Sequence, residues 1–195
     1  MSANPLLKAA GEKQADPSEV EEVSREENIL DATCGGRSIW LPDNKEREDT
    51  LYIDKREEDP GFHGQEGETY EVNPDERMDF RDLPFQDKEF DHIVFDPPHV
   101  TTPDGMERLT GQVNKKYGAL RAQTWQRDIR QGFEELFRVL MPRGTLAFKF
   151  NDSCVDFKEV LNLAPQRPLY GTTTKKQNTE TRWFIFYKEP EGEDQ

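Results

Sequence analysis

Three short apolar runs in this chain close on an aspartate: Ile29-Leu30-Asp31, Leu51-Tyr52-Ile53-Asp54 and Ile93-Val94-Phe95-Asp96. Runs of two or three apolar residues without a polar partner every second position suit strands buried on both faces, as in a parallel sheet. An acid placed where such a strand ends lies at the edge where open α/β sheets bind ligands. The rest of the chain supports the same architecture. Arg77–Phe80 reads as a further strand, Thr145–Phe150 as the next, and Arg182–Tyr187 as a last apolar one. Between them, Trp125, Ile129, Phe133, Leu136, Phe137 and Leu140 recur on one face of a helix spanning about 124–141, with Thr124 as its N-cap and Pro142-Arg143-Gly144 as its stop. Short helices are predicted over 37–41 and 155–163. Alternating strands and helices predict an α/β fold with a mostly parallel central sheet and helices on both faces.

The segment after the third of those runs is the most chemical part of the chain. Asp96-Pro97-Pro98-His99 puts a carboxylate and two rigid residues at a strand end. Prolines fix φ and lack an N–H, so such a turn presents carbonyls and little else. Two acceptors, the Asp96 carboxylate and the Pro97 carbonyl, can take hydrogen bonds from an aniline-like amine and free its lone pair for attack on an electrophile. The same four residues also serve as a plain strand stop.

A nucleotide-cofactor site is legible upstream. Ala32-Thr33-Cys34-Gly35-Gly36 follows the first strand with small residues suited to a tight turn and close ligand approach. Asp31 starts that turn, and Asp54 ends the next strand, one βαβ unit later, where it can accept from ribose hydroxyls. Asp79 and Phe80 offer a carboxylate and a ring to an adenine. Each has an ordinary alternative: a turn, a strand-end cap, a core ring. The G-x-G-x-x-G fingerprint is absent, which argues against a nicotinamide oxidoreductase.

These residues in this order resemble class I S-adenosylmethionine-dependent methyltransferases over about 28–188. The resemblance lies in Ile29-Leu30-Asp31-Ala32-Thr33-Cys34-Gly35-Gly36, in Asp54, in Met78-Asp79-Phe80-Arg81-Asp82-Leu83-Pro84-Phe85 continuing through Phe90-Asp91, and in Phe137-Arg138-Val139-Leu140-Met141-Pro142. Asp96-Pro97-Pro98-His99 resembles the Asp/Asn-Pro-Pro-aromatic motif of amino methyltransferases acting on nucleic-acid bases, and the whole is similar to small phage- and prophage-type members. The resemblance implies a Rossmann-like fold with an antiparallel C-terminal strand, S-adenosyl-L-methionine as cofactor, and direct transfer of methyl to a base amine, in DNA or RNA. Thr33 and Arg37 stand where many members have glycine, so Arg37 either reaches the cofactor carboxylate or faces solvent. His99 replaces Tyr, Phe or Trp and can stack or hydrogen-bond. No appended target-recognition domain is visible. A small-molecule or protein substrate on the same scaffold, and a cofactor-binding partner subunit without activity of its own, are the alternative functions.

Charge sets the remaining bounds. The net charge is −14 over 195 residues, too acidic for an ordinary nucleic-acid binder. Its distribution is uneven: residues 97–132 carry six cations against three anions, and residues 164–183 four cations against Glu180 alone. Lys115, Lys116 and Tyr117, in the loop 100–121, are candidate substrate contacts on a lid, or else solvated charges. The acidity is concentrated in an arm over 1–26, in 43–59 and in a tail over 189–195, flanking one domain over 27–188. Such a surface also suits concentrated salt, where long-range attraction to phosphate is already screened. Two cysteines, Cys34 and Cys154, are too few for a disulfide framework, and three scattered histidines form no metal motif, so no metal is expected. No apolar run reaches membrane-spanning length and no secretion signal is visible, which leads to an expected cytoplasmic location.

Overall fold

The computed structural model describes residues 26–64, 67, 69–172, 179–190 and 192. Residues 1–25 of the expected arm over 1–26, Lys175, Lys176 and most of the acidic tail lie outside the described residues. The elements are β1 (Ile29–Asp31), β2 (Thr50–Asp54), β3 (Glu76–Arg77), β4 (Phe90–Phe95), β5 (Thr101–Thr102), α1 (Gln112–Tyr117), β6 (Leu120–Arg121), α2 (Trp125–Val139), β7 (Leu140–Asn151), α3 (Phe157–Leu161), β8 (Tyr170–Gly171) and β9 (Thr181–Tyr187). Seven strands form one sheet in the order β3-β2-β1-β4-β7-β9-β8, and β5 pairs with β6 as a separate parallel ribbon. Neighbours from β3 through β7 are parallel; β9 runs antiparallel between β7 and β8. The fold is Rossmann-like α/β, mostly parallel with an antiparallel C-terminal strand. The chain runs outward from β1 to β3 on one side and from β4 to β7 on the other. The crevice between β1 and β4 is therefore the topological switch point.

Side-chain alternation sets which residues meet. Phe95 lies in register with Phe148, and Phe148 with Phe184, so these rings share one sheet face. The apolar stripe of α2 packs there, with the Phe133 ring centroid 5.5, 5.0 and 5.7 Å from those of Phe95, Phe148 and Phe186. Each fully buried ring of this kind contributes roughly 1.5–3 kcal/mol by removal from water. On the same face α3 sets Phe157 against Phe184 at 5.4 Å. Helical cover is thus heavier on this face than the expected two-sided arrangement.

Several boundaries depart from the sequence expectation, each for a local reason. No α-helix forms over 37–41: Arg37 takes a positive φ of 51°, and a single 3-10 turn follows at Pro42–Asn44. The strand expected at 77–80 is only Glu76–Arg77, because Asp79 turns back to bridge Asp82. Thr124 does not cap α2; its hydroxyl donates to Asp128 Oδ2 at 2.7 Å. The helix stops at Val139, before Met141, whose α conformation the Pro142 ring disfavours. Among the described residues no helix is long and apolar enough to cross a membrane.

Candidate active site

A cavity of about 880 Å³ opens at the switch point, and it is lined by the turn Ala32–Gly36, by Asp54, by Asp79 and Phe80, and by Asp96–His99. The parallel register makes this possible. Thr33 follows β1 just where Asp96 follows β4, and Thr33 Oγ1 accepts a hydrogen bond from the Asp96 amide at 2.8 Å. The glycine turn and the Asp-Pro-Pro corner are therefore bonded to one another.

The turn is built from its own backbone donors. The Cys34 amide donates to the Ile53 carbonyl at 2.9 Å, and that of Gly35, at φ 49°, to Asp54 Oδ2 at 3.0 Å. The Gly36 amide donates to the Tyr70 hydroxyl at 3.1 Å. A Cβ on Gly36 would stand 2.3 Å from the Tyr70 ring, so only glycine admits that approach. Cys34 is buried, and burial pushes its thiol well above the ordinary range, which removes it as a nucleophile.

The acids divide by role. Asp31 lies beneath the cavity wall rather than in it: fully buried, it accepts from the Thr33 amide at 3.2 Å and the Trp40 indole at 2.7 Å. Burial pushes its carboxyl up to about 7 despite those donors. Asp54 takes one donor on each oxygen, from Gly35 and from the Arg56 amide at 2.9 Å, leaving a lone pair on each for a ligand diol. Asp79 is saturated. Arg81 donates to it from its amide at 3.2 Å and its guanidinium at 2.8 and 2.5 Å, and Lys55 donates at 3.0 Å. Although burial opposes the charge, those bonds hold the Asp79 carboxyl well below the usual range. It has no spare acceptor for an adenine amine, so of the expected adenine pair Phe80 is the available contact. That ring stands edge-on to Phe95 at 5.0 Å and presses on Gly132, where a Cβ would come within 2.5 Å.

At the Asp-Pro-Pro corner Asp96 is flanked by two nitrogens. Lys149 Nζ donates to its Oδ2 at 2.7 Å, and His99 Nε2 lies 3.1 Å from its Oδ1, out of line for a hydrogen bond. The His99 ring meets Phe150 edge-on at 5.1 Å, in the place the family resemblance gives to an aromatic. Lys149 carries no motif of its own. Its signal is positional, since it lies one residue past Phe148, the register partner of Phe95, and so comes beside Asp96.

The loop over this corner folds as β5, α1 and β6. Tyr117 lines the cavity, whereas Lys115 and Lys116 do not. Their carbonyls accept from the Arg56 guanidinium at 3.0 and 3.4 Å, and the Lys116 ammonium sits 4.4 Å from the Tyr70 ring centroid. These two lysines therefore dock α1 onto the glycine turn through Arg56 and Tyr70. Arg37 also turns away from the cavity: it bonds the carbonyls of Lys45 and Asn73, pairs with Asp75 at 2.8 Å, and stacks 3.8 Å over Tyr52. Arg56, Tyr70, Lys149 and Trp183 line the site without having been legible in the sequence.

No protein-family model and no curated protein matches this chain. Solved structures resemble it in shape. Protein PH0226 of Pyrococcus horikoshii OT3 is 16% identical, with 86% of this chain and 84% of that chain covered, at a TM-score of 0.49. An S-adenosylmethionine-dependent methyltransferase of Methanosarcina mazei is 13% identical, with 86% and 95% covered, also at 0.49. The chemistry of this chain is read from its own cavity.

Proposed function

We propose that this protein is an S-adenosylmethionine-dependent methyltransferase acting on an exocyclic amino group of a nucleic-acid base. The observation that carries this reading is the single cavity lined by both the glycine turn with Asp54 and the Asp96–His99 corner, the two halves joined through Thr33. The donor set fits the cofactor. Asp54 has free lone pairs for ribose hydroxyls, Phe80 offers a ring to adenine, and the Ala32–Gly36 turn admits close approach. When bound, S-adenosylmethionine supplies an electrophilic methyl on a positively charged sulfur.

The protein's part is orientation and charge. Asp96 and the Pro97 carbonyl accept the two N–H bonds of the target amine and aim its lone pair at the methyl carbon. Once the amine carries the methyl group, its surplus proton would leave nitrogen for water by way of the Asp96 carboxylate. The charge developing on nitrogen is stabilised by acceptors already in place.

Purified protein incubated with methyl-labelled S-adenosylmethionine and, separately, DNA, RNA, nucleosides and cell-extract protein tests the assignment. Label is expected on a base amine of DNA or RNA. Label only in protein or in small molecules overturns the substrate class, and no measurable cofactor binding overturns the enzyme.

A further inference from the structure

Asp96 and Lys149 together form a feature that amine activation alone does not use. Lys149 Nζ is 2.7 Å from Asp96 Oδ2, and the two side chains are only 22% and 17% exposed. A lysine ammonium has three protons. One is given to Asp96, and no other hydrogen bond of Nζ is made among the described residues, so two remain at the cavity wall. The pair therefore offers an acceptor and a donor side by side. On the next strand Trp183 stands in register with Lys149, half-buried and lining the same cavity, with a flat face for a ring.

Resting on the methyltransferase reading above, we infer that Lys149 is the specificity-determining residue: it donates to the ring nitrogen bonded to the same carbon as the target amine. An amine N–H beside a ring nitrogen acceptor is the complement of a carboxylate beside an ammonium. Adenine presents that edge through its amino group and N1, cytosine through its amino group and N3. Asp96 Oδ2 accepts the amine proton while Lys149 bridges from that oxygen to the ring nitrogen, reading the edge of an extruded or single-stranded base. An arylamine without the ring nitrogen leaves the ammonium protons unpaired at the cavity wall, which costs more than the missing bond. A protonated alkylamine, such as a protein lysine, meets a like charge. The substrate class is thus an amidine-edged heterocycle, and Lys149 excludes simple amines.

The test uses short single-stranded oligonucleotides carrying one adenine or one cytosine, and counterparts in which that base is 1-deazaadenine or 3-deazacytosine. With the parent protein, removing the ring nitrogen is expected to lower kcat/KM roughly 10- to 100-fold, the range for a lost charge-assisted hydrogen bond. Lys149→Met is expected to lower kcat/KM for the natural base by a similar factor, to lose little more on the deaza base, and to hold S-adenosylmethionine about as tightly as the parent. That non-additivity is the signature of one shared contact. Equal rates on natural and deaza bases overturn the assignment, as do losses that simply multiply. The deaza comparison needs only the parent protein, so it decides even if Lys149→Met folds poorly. Failure of the parent to methylate either natural base overturns the underlying function and this inference with it, whereas transfer with multiplying losses overturns this inference alone.

Discussion

In the proposed function Asp96 is the residue on which the chemistry turns, and its surroundings separate that role from cofactor binding. Its carboxylate faces Lys149 and His99, while the glycine turn is held by Asp54, Tyr70 and the Ile53 carbonyl. Asp96→Ala is therefore expected to keep S-adenosylmethionine affinity near that of the parent and to lower kcat by roughly 10²–10³, the cost of removing one preorganised charge-stabilising group. Calorimetric titration alongside initial rates checks both halves, and unchanged turnover removes Asp96 from the mechanism. Asp31, one strand away, has the opposite character. Its carboxyl lies at about 7 when folded against 3.8 as the unperturbed value, so the folded protein holds a proton that the unfolded chain has lost. Its contribution makes stability fall as pH rises from about 4 to 7 and level off above, with a slope approaching 1.4 kcal/mol per pH unit at most. Asp31→Asn, which cannot ionise, is expected to gain on the parent through that window. Denaturant unfolding at several pH values would reveal it, and a constant difference between the two proteins would contradict it.

At the scale of elements, α2 links core and cavity. Its stripe was legible because Trp125, Ile129, Phe133 and Leu136 repeat with a helical period, and the structure buries all four. Gly132 on the same helix carried no sequence signal, yet it is the floor against which Phe80 rests. Gly132→Ala places a methyl 2.5 Å from a ring that is only half-buried, and the open side is the cavity. The ring is expected to swing into the cofactor space, costing on the order of 1–3 kcal/mol in overpacking and lowering S-adenosylmethionine affinity severalfold. Thermal melting and a binding titration check this pair of effects; lowered melting with unaltered binding would place Phe80 outside the cofactor contact. The 100–121 loop reads from the sequence as a candidate substrate lid, but which of its residues face the cavity is not legible there. Lys115 and Lys116 read as substrate cations. In the fold their carbonyls are taken by Arg56, 59 and 60 residues back along the chain.

For the whole molecule, the net charge of −14 sits on a surface whose cationic groups near the cavity are largely paired: Arg81 with Asp79 and Asp128, Arg56 with Asp54, Lys149 with Asp96. Self-repulsion among the remaining carboxylates opposes the compact state and is relieved by counter-ions. Folding stability and methyl transfer are expected to rise together across a salt series from tens of millimolar to molar, and full stability and activity at low salt would refute this. The places of β1, β2, β4, β7 and β9, the order of glycine turn, acid and Asp-Pro-Pro corner, and the long helix were determined by the sequence itself. Each depends on neighbours within a few residues: apolar runs, a 3.6-residue period, the fixed φ of proline. Which acids stay available was decided only by the tertiary structure. Asp54 keeps one lone pair on each oxygen, Asp79 spends all of its own on Arg81 and Lys55, and Asp96 acquires Lys149 from 53 residues away. Arg81 reaches Asp79 from only two residues on, but the bonds of Lys55 to Asp79, Gly35 to Asp54 and Lys149 to Asp96 follow from parallel register and from loops crossing the sheet edge, and no local pattern encodes them.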